Sequence, residues 1–401
     1  MTIQEKFGFR KVLNTRGPAT ILGAARVGEE IRQDISDMLG QSAEIWELQR
    51  RASESIVRLT GAEAGCVVHC TSAGMAVATA AALTGRDAAK IKALPDITWP
   101  RRKVIIQKGQ VTGAGDCPVW QVIKMCGAEY VEIGEALDCA TFHLRAALDD
   151  TVAAAFYVME DTFAPNLLPL ETFVEICHEK GVPVICDAAY LTDFKMLARL
   201  GVDMAIYSGH KWLGGCTSGI IAGRKELVHA CYMQEMGIGR PMKVGKEGII
   251  SVISAIGHWL SRDEDAIRAV QTERADEIQK QVEGLPGVKC QVIRSLYSPS
   301  VRLHVDIDEK AAGIAAWVIN EEMARLDPVI MTDDYYVNQG KIIFDTAYLD
   351  KGDGELIGRV LREYLTGARK PERRAAKAVP RTRQDILYDW FDQWLEGDPR
   401  G

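Results

Sequence analysis

Two ionisable residues of this sequence, Lys211 and Asp187, each stand at the end of an apolar run. Lys211 follows Ala205-Ile206-Tyr207-Ser208-Gly209-His210, and Asp187 closes Val182-Pro183-Val184-Ile185-Cys186. Because strand ends meet at one crevice in an open α/β sheet, both side chains are predicted to face the same cleft. A lysine there, beside small residues, can form a Schiff base with an aldehyde. Most lysines are exposed turn residues, and the matched carboxylate is what favours the chemical interpretation.

The amine and the carboxylate match the needs of pyridoxal phosphate, which also requires a phosphate site. Its aldehyde takes an amine, and its protonated ring nitrogen takes a carboxylate. The run Cys66-Val67-Val68-His69-Cys70 predicts a short strand, and small residues after it open an Ala-rich helix. The first N–H groups of a helix are free to bind an anion. The residues predicted to bind the cofactor in this way are Ser72, Ala73, Gly74, Met75 and, through its hydroxyl, Ser208.

Three other positions carry weaker signals for the same crevice. Asp161 and Asn166 follow the strand-like run from Ala153 to Met159. They are predicted to contact the ligands, and Asp161 to contact the cofactor, although capping of a turn explains them equally well. His210, beside the lysine, is predicted to tune that amine or to touch the cofactor, and a structural hydrogen bond is the alternative.

Three further motifs accompany the predicted phosphate site, carboxylate and lysine. They are Asn14-Thr15-Arg16-Gly17 with Thr20 and Leu22-Gly23, then Thr60-Gly61-Ala62-Glu63-Ala64, and Gly237-Ile238-Gly239-Arg240-Pro241-Met242-Lys243-Val244-Gly245-Lys246-Glu247. With them the sequence resembles the fold-type I pyridoxal phosphate enzymes. Among these it resembles the family of bacterial selenocysteine synthase (seryl-tRNA selenium transferase) and D-glucosaminate-6-phosphate ammonia-lyase, to about Gly367. The last motif looks closer to the ammonia-lyase branch.

The resemblance implies both a fold and a reaction. The fold is an α/β architecture, with a mainly parallel seven-stranded sheet in a large domain and a small α+β C-terminal domain. The reaction is abstraction of an α-proton from an amino acid or amino sugar acid and elimination of a β-group, releasing ammonia and a 2-keto acid. In that mechanism Lys211 is the base and Asp187 keeps the cofactor ring protonated. Racemisation, aldol cleavage, β-replacement, selenium transfer to seryl-tRNA and non-catalytic cofactor binding are the alternatives.

A set of polar residues is predicted to bind the substrate. Arg16 and Thr20 lie in an N-terminal arm that, in the resembled family, approaches the active site, often that of a neighbouring subunit. Arg240 and Lys243 add cations suited to a carboxylate or a phosphate. The alternative is that these cations pair with nearby acids such as Glu235. Arg294 or Arg302 of the C-terminal domain is a further candidate for the substrate carboxylate.

Bulk properties exclude several classes of function. The chain has 401 residues and a net charge of −7, which argues against a nucleic-acid partner because phosphate contacts need a basic surface. Its ten cysteines are scattered, several within apolar runs, and this favours reduced thiols over a disulfide framework. On a strand His69 would point away from Cys66 and Cys70, so a metal site is not expected. No membrane span or signal peptide is recognised, and a cytoplasmic location is expected.

Alternating apolar runs and helical patterns predict four segments. They are an N-terminal arm with helices (residues 1–60), a large cofactor-binding domain (61–260), a small C-terminal domain (261–367) and a basic linker with a tail helix (368–401). Val12 to Pro18 is predicted to be a turn, because of its Gly and Pro. Lys310 to Leu326 is predicted to be one helix.

The tail helix, Asp385 to Glu396, is predicted to carry one apolar face. The residues of that face are Ile386, Leu387, Trp390, Phe391, Trp394 and Leu395. Because an exposed aromatic stripe of this size is unfavourable, the helix is predicted to dock on a neighbouring subunit of a homodimer or larger homo-oligomer. Docking on its own subunit is the alternative.

Overall fold

The computed structural model describes residues 1–111, 117–159, 166–294, 299–371, 380–392 and 394–395. The chain forms two compact units. The large unit is Arg26–Arg262, and the terminal unit combines Met1–Ala25 with Asp263–Gly401. No helix in the described ranges is long and apolar enough to cross a membrane.

The strands and helices follow one another along the chain in the alternating manner expected of an α/β protein. The strands are β1 (Val12–Thr15), β2 (Ala64–Val68), β3 (Lys103–Gln107), β4 (Glu129–Ile133), β5 (Val152–Val158), β6 (Val184–Asp187), β7 (Met204–Ser208), β8 (Gly219–Gly223), β9 (Val288–Arg294), β10 (Val301–Ile307), β11 (Val329–Thr332) and β12 (Lys341–Asp345). The helices are α1 (Ile3–Phe7), α2 (Glu29–Leu39), α3 (Ile45–Thr60), α4 (Thr71–Thr84), α5 (Ala88–Ala93), α6 (Val119–Met125), α7 (Thr141–Ala147), α8 (Leu170–His178), α9 (Met196–Arg199), α10 (Lys225–Met233), α11 (Lys246–Ser261), α12 (Glu264–Val282), α13 (Glu309–Ala312), α14 (Ala316–Met323), α15 (Asp353–Leu365) and α16 (Arg383–Asp392). Short 3₁₀ turns lie at Thr20–Leu22, Lys108–Gln110, Gln234–Met236, Arg240–Met242 and Val337–Gln339.

A seven-stranded sheet forms the centre of the large unit, in the order β2-β8-β7-β6-β5-β3-β4. Strands β7, β6, β5, β3 and β4 are parallel to one another, and β8 runs antiparallel to both β7 and β2. The expected mainly parallel α/β sheet is therefore confirmed. The carboxyl ends of β2, β5, β6 and β7 lie at one edge of the sheet, together with the start of β8.

Helices cover the large sheet closely because of small residues. Every residue of β5, from Val152 to Val158, is buried, as is typical of a parallel strand covered on both faces. On α4, a Cβ atom at Gly74 would lie 2.8 Å from Ile206 Cγ2 and 3.3 Å from Val68 Cγ2. Only glycine allows this helix to pack so tightly, and the contact fixes the start of α4 next to β7.

The terminal unit contains an antiparallel sheet, β12-β10-β9, and a parallel pair, β1-β11. Burial alternates along β10, with Leu303 and Val305 in the core. The prediction of a turn over Val12 to Pro18 is wrong for its first four residues, which form β1 with Val12 opposite Val329. The predicted single helix from Lys310 to Leu326 is also wrong. It is divided into α13 and α14, because Gly313 adopts φ 74° and ends α13 in the left-handed conformation.

The tail helix α16 packs on the terminal unit of its own chain, which was the alternative to docking on a neighbouring subunit. Leu387 is buried, and Asn338 Nδ2 donates a hydrogen bond to Arg381 O at 3.1 Å just before the helix. The expected single apolar face is divided. Ile386 and Trp390 line a cavity of about 70 Å³ in this unit, whereas Tyr388, Phe391, Trp394 and Leu395 remain exposed.

Candidate active site

The register of the large sheet brings the predicted carboxylate and the predicted hydroxyl to one edge. Asp187, the last residue of β6, lies opposite Ile206 on β7 and Val158 on β5. Ser208, the last residue of β7, lies opposite Gly219 on β8. Gly219 in turn lies opposite Val68, the last residue of β2. The strand ends that carry Asp187 and Ser208 thus share this edge with the start of α4.

The start of α4 rests directly on β8, beside Ser208. A Cβ atom at Gly219 would lie 2.5 Å from Cys70 O and 2.9 Å from Thr71 N, so glycine is required for this approach. Cys70 caps the helix, because its Sγ accepts from Ala73 N at 3.4 Å and its carbonyl accepts from Gly74 N at 2.9 Å. In the described part of the chain no group accepts from the N–H of Thr71 or Ser72. These two N–H groups are the available anion donors.

Only some of the residues predicted for the phosphate site lie where an anion could reach them. Ser72 stands at the open helix end, whereas Ala73, Gly74 and Met75 are buried and pack into the core. Thr71 belongs to the same open end. Ser208 is also buried, and its Oγ accepts from Lys211 N at 3.2 Å. The Ser208 hydroxyl proton is therefore left to donate to an anion.

Lys211 is held in a tight turn after β7. Gly214 N donates to Lys211 O at 3.1 Å, and Gly215 N donates to Gly209 O at 2.9 Å. The turn is crowded, because a Cβ atom at Gly209 would lie 2.2 Å from Ser218 Oγ. The side chain of Lys211 extends to Tyr190, with Nζ 3.4 Å from the ring centroid. Tyr190 was not predicted, and the available signal was its place three residues after Asp187.

The charges at this edge act on one another. Burial raises the pKa of Asp187, and the Lys211 charge and a 3.1 Å hydrogen bond from Ala189 N offset that rise in part. The carboxylate keeps some solvent access although protein surrounds it on most sides. Burial, with smaller effects of Lys211 and His69, lowers the pKa of His210 to about 4. His210 is therefore neutral near pH 7.

These groups fit pyridoxal phosphate. Within the described ranges, Ala189 N is the one hydrogen-bond donor to the side-chain carboxylate of Asp187, and it reaches Oδ1. Oδ2 is thus left to accept from a protonated ring nitrogen. The amine of Lys211 is available for an aldehyde, and the unpaired N–H groups of Thr71 and Ser72 are available for a phosphate. No group of three or more potential metal ligands occurs among the residues described.

The structure places the predicted substrate residues in both units. In the terminal unit, Arg16 Nη1 lies 2.9 Å from Asp334 Oδ2 in a largely buried ion pair, and Thr20 is exposed. In the large unit, Arg240 is exposed and pairs with Glu235 at 3.3 Å, which is the alternative that its position suggested.

The remaining candidates are distributed as follows. Lys243 is exposed and makes no contact with an acid in the part of the chain described. Arg302 Nε lies 3.3 Å from Asp345 Oδ2. Asn166 is exposed and its carbonyl accepts from Cys139 N at 3.0 Å. Asp161 and the side chain of Arg294 lie outside the described residues.

The chain is similar to known proteins along most of its length. Residues 19–292 match the family model described as SelA: L-seryl-tRNA selenium transferase. The chain belongs to this family. A 5'-C-glycyluridine monooxygenase-decarboxylase of Streptomyces sp is 32% identical over 364 residues, covering 90% of this chain and 91% of the relative. A D-glucosaminate-6-phosphate ammonia lyase of Salmonella typhimurium (strain 14028s / SGSC 2262) is 30% identical over 364 residues, covering 90% of this chain and 97% of the relative.

A solved structure supports the same assignment. D-glucosaminate-6-phosphate ammonia-lyase superimposes with a TM-score of 0.83 at 28% identity, covering 92% of this chain and 99% of that one. This SelA-family protein has the fold of the fold-type I pyridoxal phosphate enzymes, as its motifs implied. It is a pyridoxal phosphate-dependent enzyme of the lyase type.

Proposed function

We propose that this SelA-family protein is an ammonia-lyase for an amino acid or amino sugar acid with a hydroxyl group on its β-carbon. The observation that carries the proposal is the shared sheet edge of the Asp187 carboxylate, the Lys211 turn and the open start of α4. Similarity to D-glucosaminate-6-phosphate ammonia lyase along 90% of this chain supports the type of reaction. The products would be ammonia and a 2-keto acid.

Each residue at the edge has a distinct task in this reaction. When bound, pyridoxal phosphate withdraws electrons from the α-carbon of an amino substrate and so makes its α-proton removable. Asp187 would keep a negative charge at the ring nitrogen. The N–H groups of Thr71 and Ser72, with the Ser208 hydroxyl, would hold the phosphate. Neutral His210 lines the turn as a hydrogen-bonding group and adds no positive charge near Lys211.

Lys211 moves the proton. Its Nζ, free once the amino group of the substrate has taken its place at the aldehyde, takes the α-proton, and the resulting ammonium returns a proton to the departing β-hydroxyl, which leaves as water. One water is then consumed when the bond between the α-carbon and the amino nitrogen of the substrate is hydrolysed, and ammonia is released. The net change converts a 2-amino-3-hydroxy acid to a 2-keto acid and ammonia, with no oxidant required.

The substrate is proposed to carry an acidic group besides its α-carboxylate. Lys243 supports this, because it is exposed and meets no acid in the described part of its chain. Arg240 is the second proposed contact, although it would have to exchange its half-buried partner Glu235 for the substrate. Exposed ion pairs of this kind contribute at most about 1 kcal/mol, so a charged substrate can displace the pair. Arg16 and Thr20 remain proposed substrate contacts.

Oxidative decarboxylation is a second candidate. It is favoured by the 32% identity to a 5'-C-glycyluridine monooxygenase-decarboxylase. Racemisation, aldol cleavage and β-replacement would use the same Lys211 and Asp187, and differ in the substrate pocket. Transfer of selenium to seryl-tRNA is less well supported, because the net charge of −7 disfavours an RNA partner.

One assay separates these reactions. The purified protein, loaded with pyridoxal phosphate, is incubated with 2-amino-3-hydroxy acids and amino sugar acids, with and without a phosphate group, in air and under nitrogen. Ammonia, 2-keto acid, carbon dioxide and oxygen uptake are measured. The proposal expects ammonia and keto acid in equal amounts at the same rate in both atmospheres. Oxygen uptake with release of carbon dioxide would support the second candidate, and a change of configuration alone would support racemisation.

The assembly is proposed to be a homodimer or larger homo-oligomer in the cytoplasm, with active sites shared between subunits. Support comes from the exposed apolar side chains of the tail, Tyr388, Phe391, Trp394 and Leu395, because large exposed apolar patches commonly mark interaction sites.

A further inference from the structure

The amine of Lys211 lies on an aromatic ring and, among the residues described, makes no ion pair with Asp187. Its Nζ is 3.4 Å from the centroid of the Tyr190 ring, well within the range of a cation–π contact. Asp187 lies opposite Ile206 on β7, the strand that leads into the Lys211 turn, and the positive charge of Lys211 partly offsets the rise in the pKa of Asp187. No nitrogen–oxygen contact within 4.0 Å joins them in the described part of the chain. The Tyr190 ring therefore holds the Lys211 amine close to Asp187 without an ion pair forming between the two charges.

Tyr190 is placed by the same elements that place Asp187 and Lys211. Ala188 N donates to Ile206 O on β7 at 2.9 Å, and Leu191 N donates to Ala188 O at 3.0 Å, which closes a turn around Tyr190. Asp187 Oδ1 accepts from Ala189 N within this turn. The Tyr190 hydroxyl makes no hydrogen bond in the part of the chain described, and 37% of the residue is exposed. The ring face is thus the part of Tyr190 that contacts the protein's reactive amine.

We propose that Tyr190 is a positioning residue whose ring face holds the Lys211 amine away from Asp187. An ion pair between Lys211 and Asp187 would occupy both groups that pyridoxal phosphate needs, and binding would first have to break it. With the amine on the ring, Asp187 Oδ2 stays free for the ring nitrogen. The inference rests on the cofactor and is independent of the elimination reaction, so failure of one leaves the other standing.

The test compares two substitutions of Tyr190 with a matched control. Tyr190→Phe keeps the ring face and removes the hydroxyl, whereas Tyr190→Leu removes the ring. Tyr130→Leu is the control, because it removes a longer cation–π contact of the large unit, with Lys124 Nζ 5.6 Å from the ring centroid. If Tyr190→Leu does not fold, Tyr190→Met replaces it as the variant without a ring.

Two readouts that do not depend on turnover decide the outcome. Spectral titration of the cofactor-free proteins with pyridoxal phosphate should give a dissociation constant about 2- to 30-fold higher for Tyr190→Leu. Tyr190→Phe and Tyr130→Leu should stay within about 2-fold of the wild type. Carboxyl ¹³C NMR should show a lower pKa for Asp187 in Tyr190→Leu, where Lys211 is free to approach it.

Several results would overturn the proposal. If Tyr190→Phe weakens the binding of pyridoxal phosphate as much as Tyr190→Leu does, the hydroxyl of Tyr190 is responsible for the effect and the ring face is not. If Tyr190→Leu binds pyridoxal phosphate as the wild type does, the ring has no positioning role. An unchanged titration of Asp187 in Tyr190→Leu would show that the amine is not redirected.

Discussion

Replacing Asp187 with Asn is expected to have opposite effects on catalysis and on the stability of the cofactor-free protein. Asn keeps the size and the Oδ1 acceptor for Ala189 N, but it removes the negative charge at Oδ2. In the loaded enzyme the Asp187 carboxylate would pair with the protonated ring nitrogen of pyridoxal phosphate, and removing one partner of such a buried pair costs about 3–5 kcal/mol. Since about 1.36 kcal/mol corresponds to a factor of ten in rate, kcat should fall about 10²- to 10⁴-fold. Pyridoxal phosphate should still attach, because Lys211 is unchanged.

The effect on stability follows from the direction of the pKa shift. Burial raises the pKa of Asp187 above its ordinary value of 3.8. The fold therefore favours the protonated carboxyl, and this contribution is fully present below pH 3.8. It is lost as the pH rises through the pKa of the folded protein. At neutral pH the cofactor-free Asp187→Asn variant should melt at a higher temperature than the wild type, and the difference should vanish in acid.

Asp203→Asn is the matched control for this experiment. Asp203 is buried at the opposite end of β7, where its carboxylate contacts His178 Nε2 at 2.8 Å and Arg224 Nη1 at 3.2 Å and accepts from Val184 N at 2.8 Å. Its substitution should lower the melting temperature and leave kcat of the folded fraction near that of the wild type. The assay is kcat under saturating cofactor, with calorimetry from pH 3 to 8. Wild-type kcat in Asp187→Asn, or a lower melting temperature at neutral pH, would refute the reasoning.

Three further predictions concern the phosphate site, the substrate site and the tail. Gly219→Ala should weaken the binding of pyridoxal phosphate at least 10-fold in spectral titration, because the added Cβ would collide with the start of α4. Gly257→Ala is the control and should bind normally, because its added Cβ meets no atom within 4 Å. Equal binding by the two variants would show that the close approach of Gly219 to α4 does not matter for the phosphate site. Lys243→Ala should raise KM for acidic substrates about 5-fold or more, and Arg240→Ala should raise it less, because Arg240 already pairs with Glu235. An unchanged KM in both variants would show that neither residue contacts the substrate. Ending the chain after Gly367 should lower the melting temperature, read by calorimetry, and reduce the oligomer seen by light scattering. An unchanged oligomer with an unchanged melting temperature would contradict the role given to the tail.

The sequence was sufficient to predict the main sheet and the edge that carries the candidate site. Lys211 and Asp187 follow apolar runs whose local pattern indicates buried strands, and the strand ends are close to those predicted. The Ala-rich start of α4 is likewise a local signal. Its exact anion donors could not be predicted, because they depend on the contact between Gly219 and the backbone of Cys70 and Thr71.

Features that depend on distant parts of the chain were missed. Strand β1 pairs with β11, more than 300 residues away, so neither short segment shows its partner locally. Tyr190 was missed because its contact with Lys211 depends on the direction of a long side chain. Periodicity alone predicts one apolar face for the tail helix, whereas its packing divides that face between the buried Leu387 and the exposed Phe391.

The most direct test of the central claim is the identity of the residue that binds the cofactor. The wild-type protein is loaded with pyridoxal phosphate, reduced with borohydride and digested, and the modified peptide is sequenced by mass spectrometry. Lys211→Ala is the control, because it removes the amine and leaves Asp187 and the start of α4 in place. We expect a phosphopyridoxyl group on Lys211 and none on the same peptide of the control. A phosphopyridoxyl group on a different lysine, or none in the wild-type protein, would contradict the account.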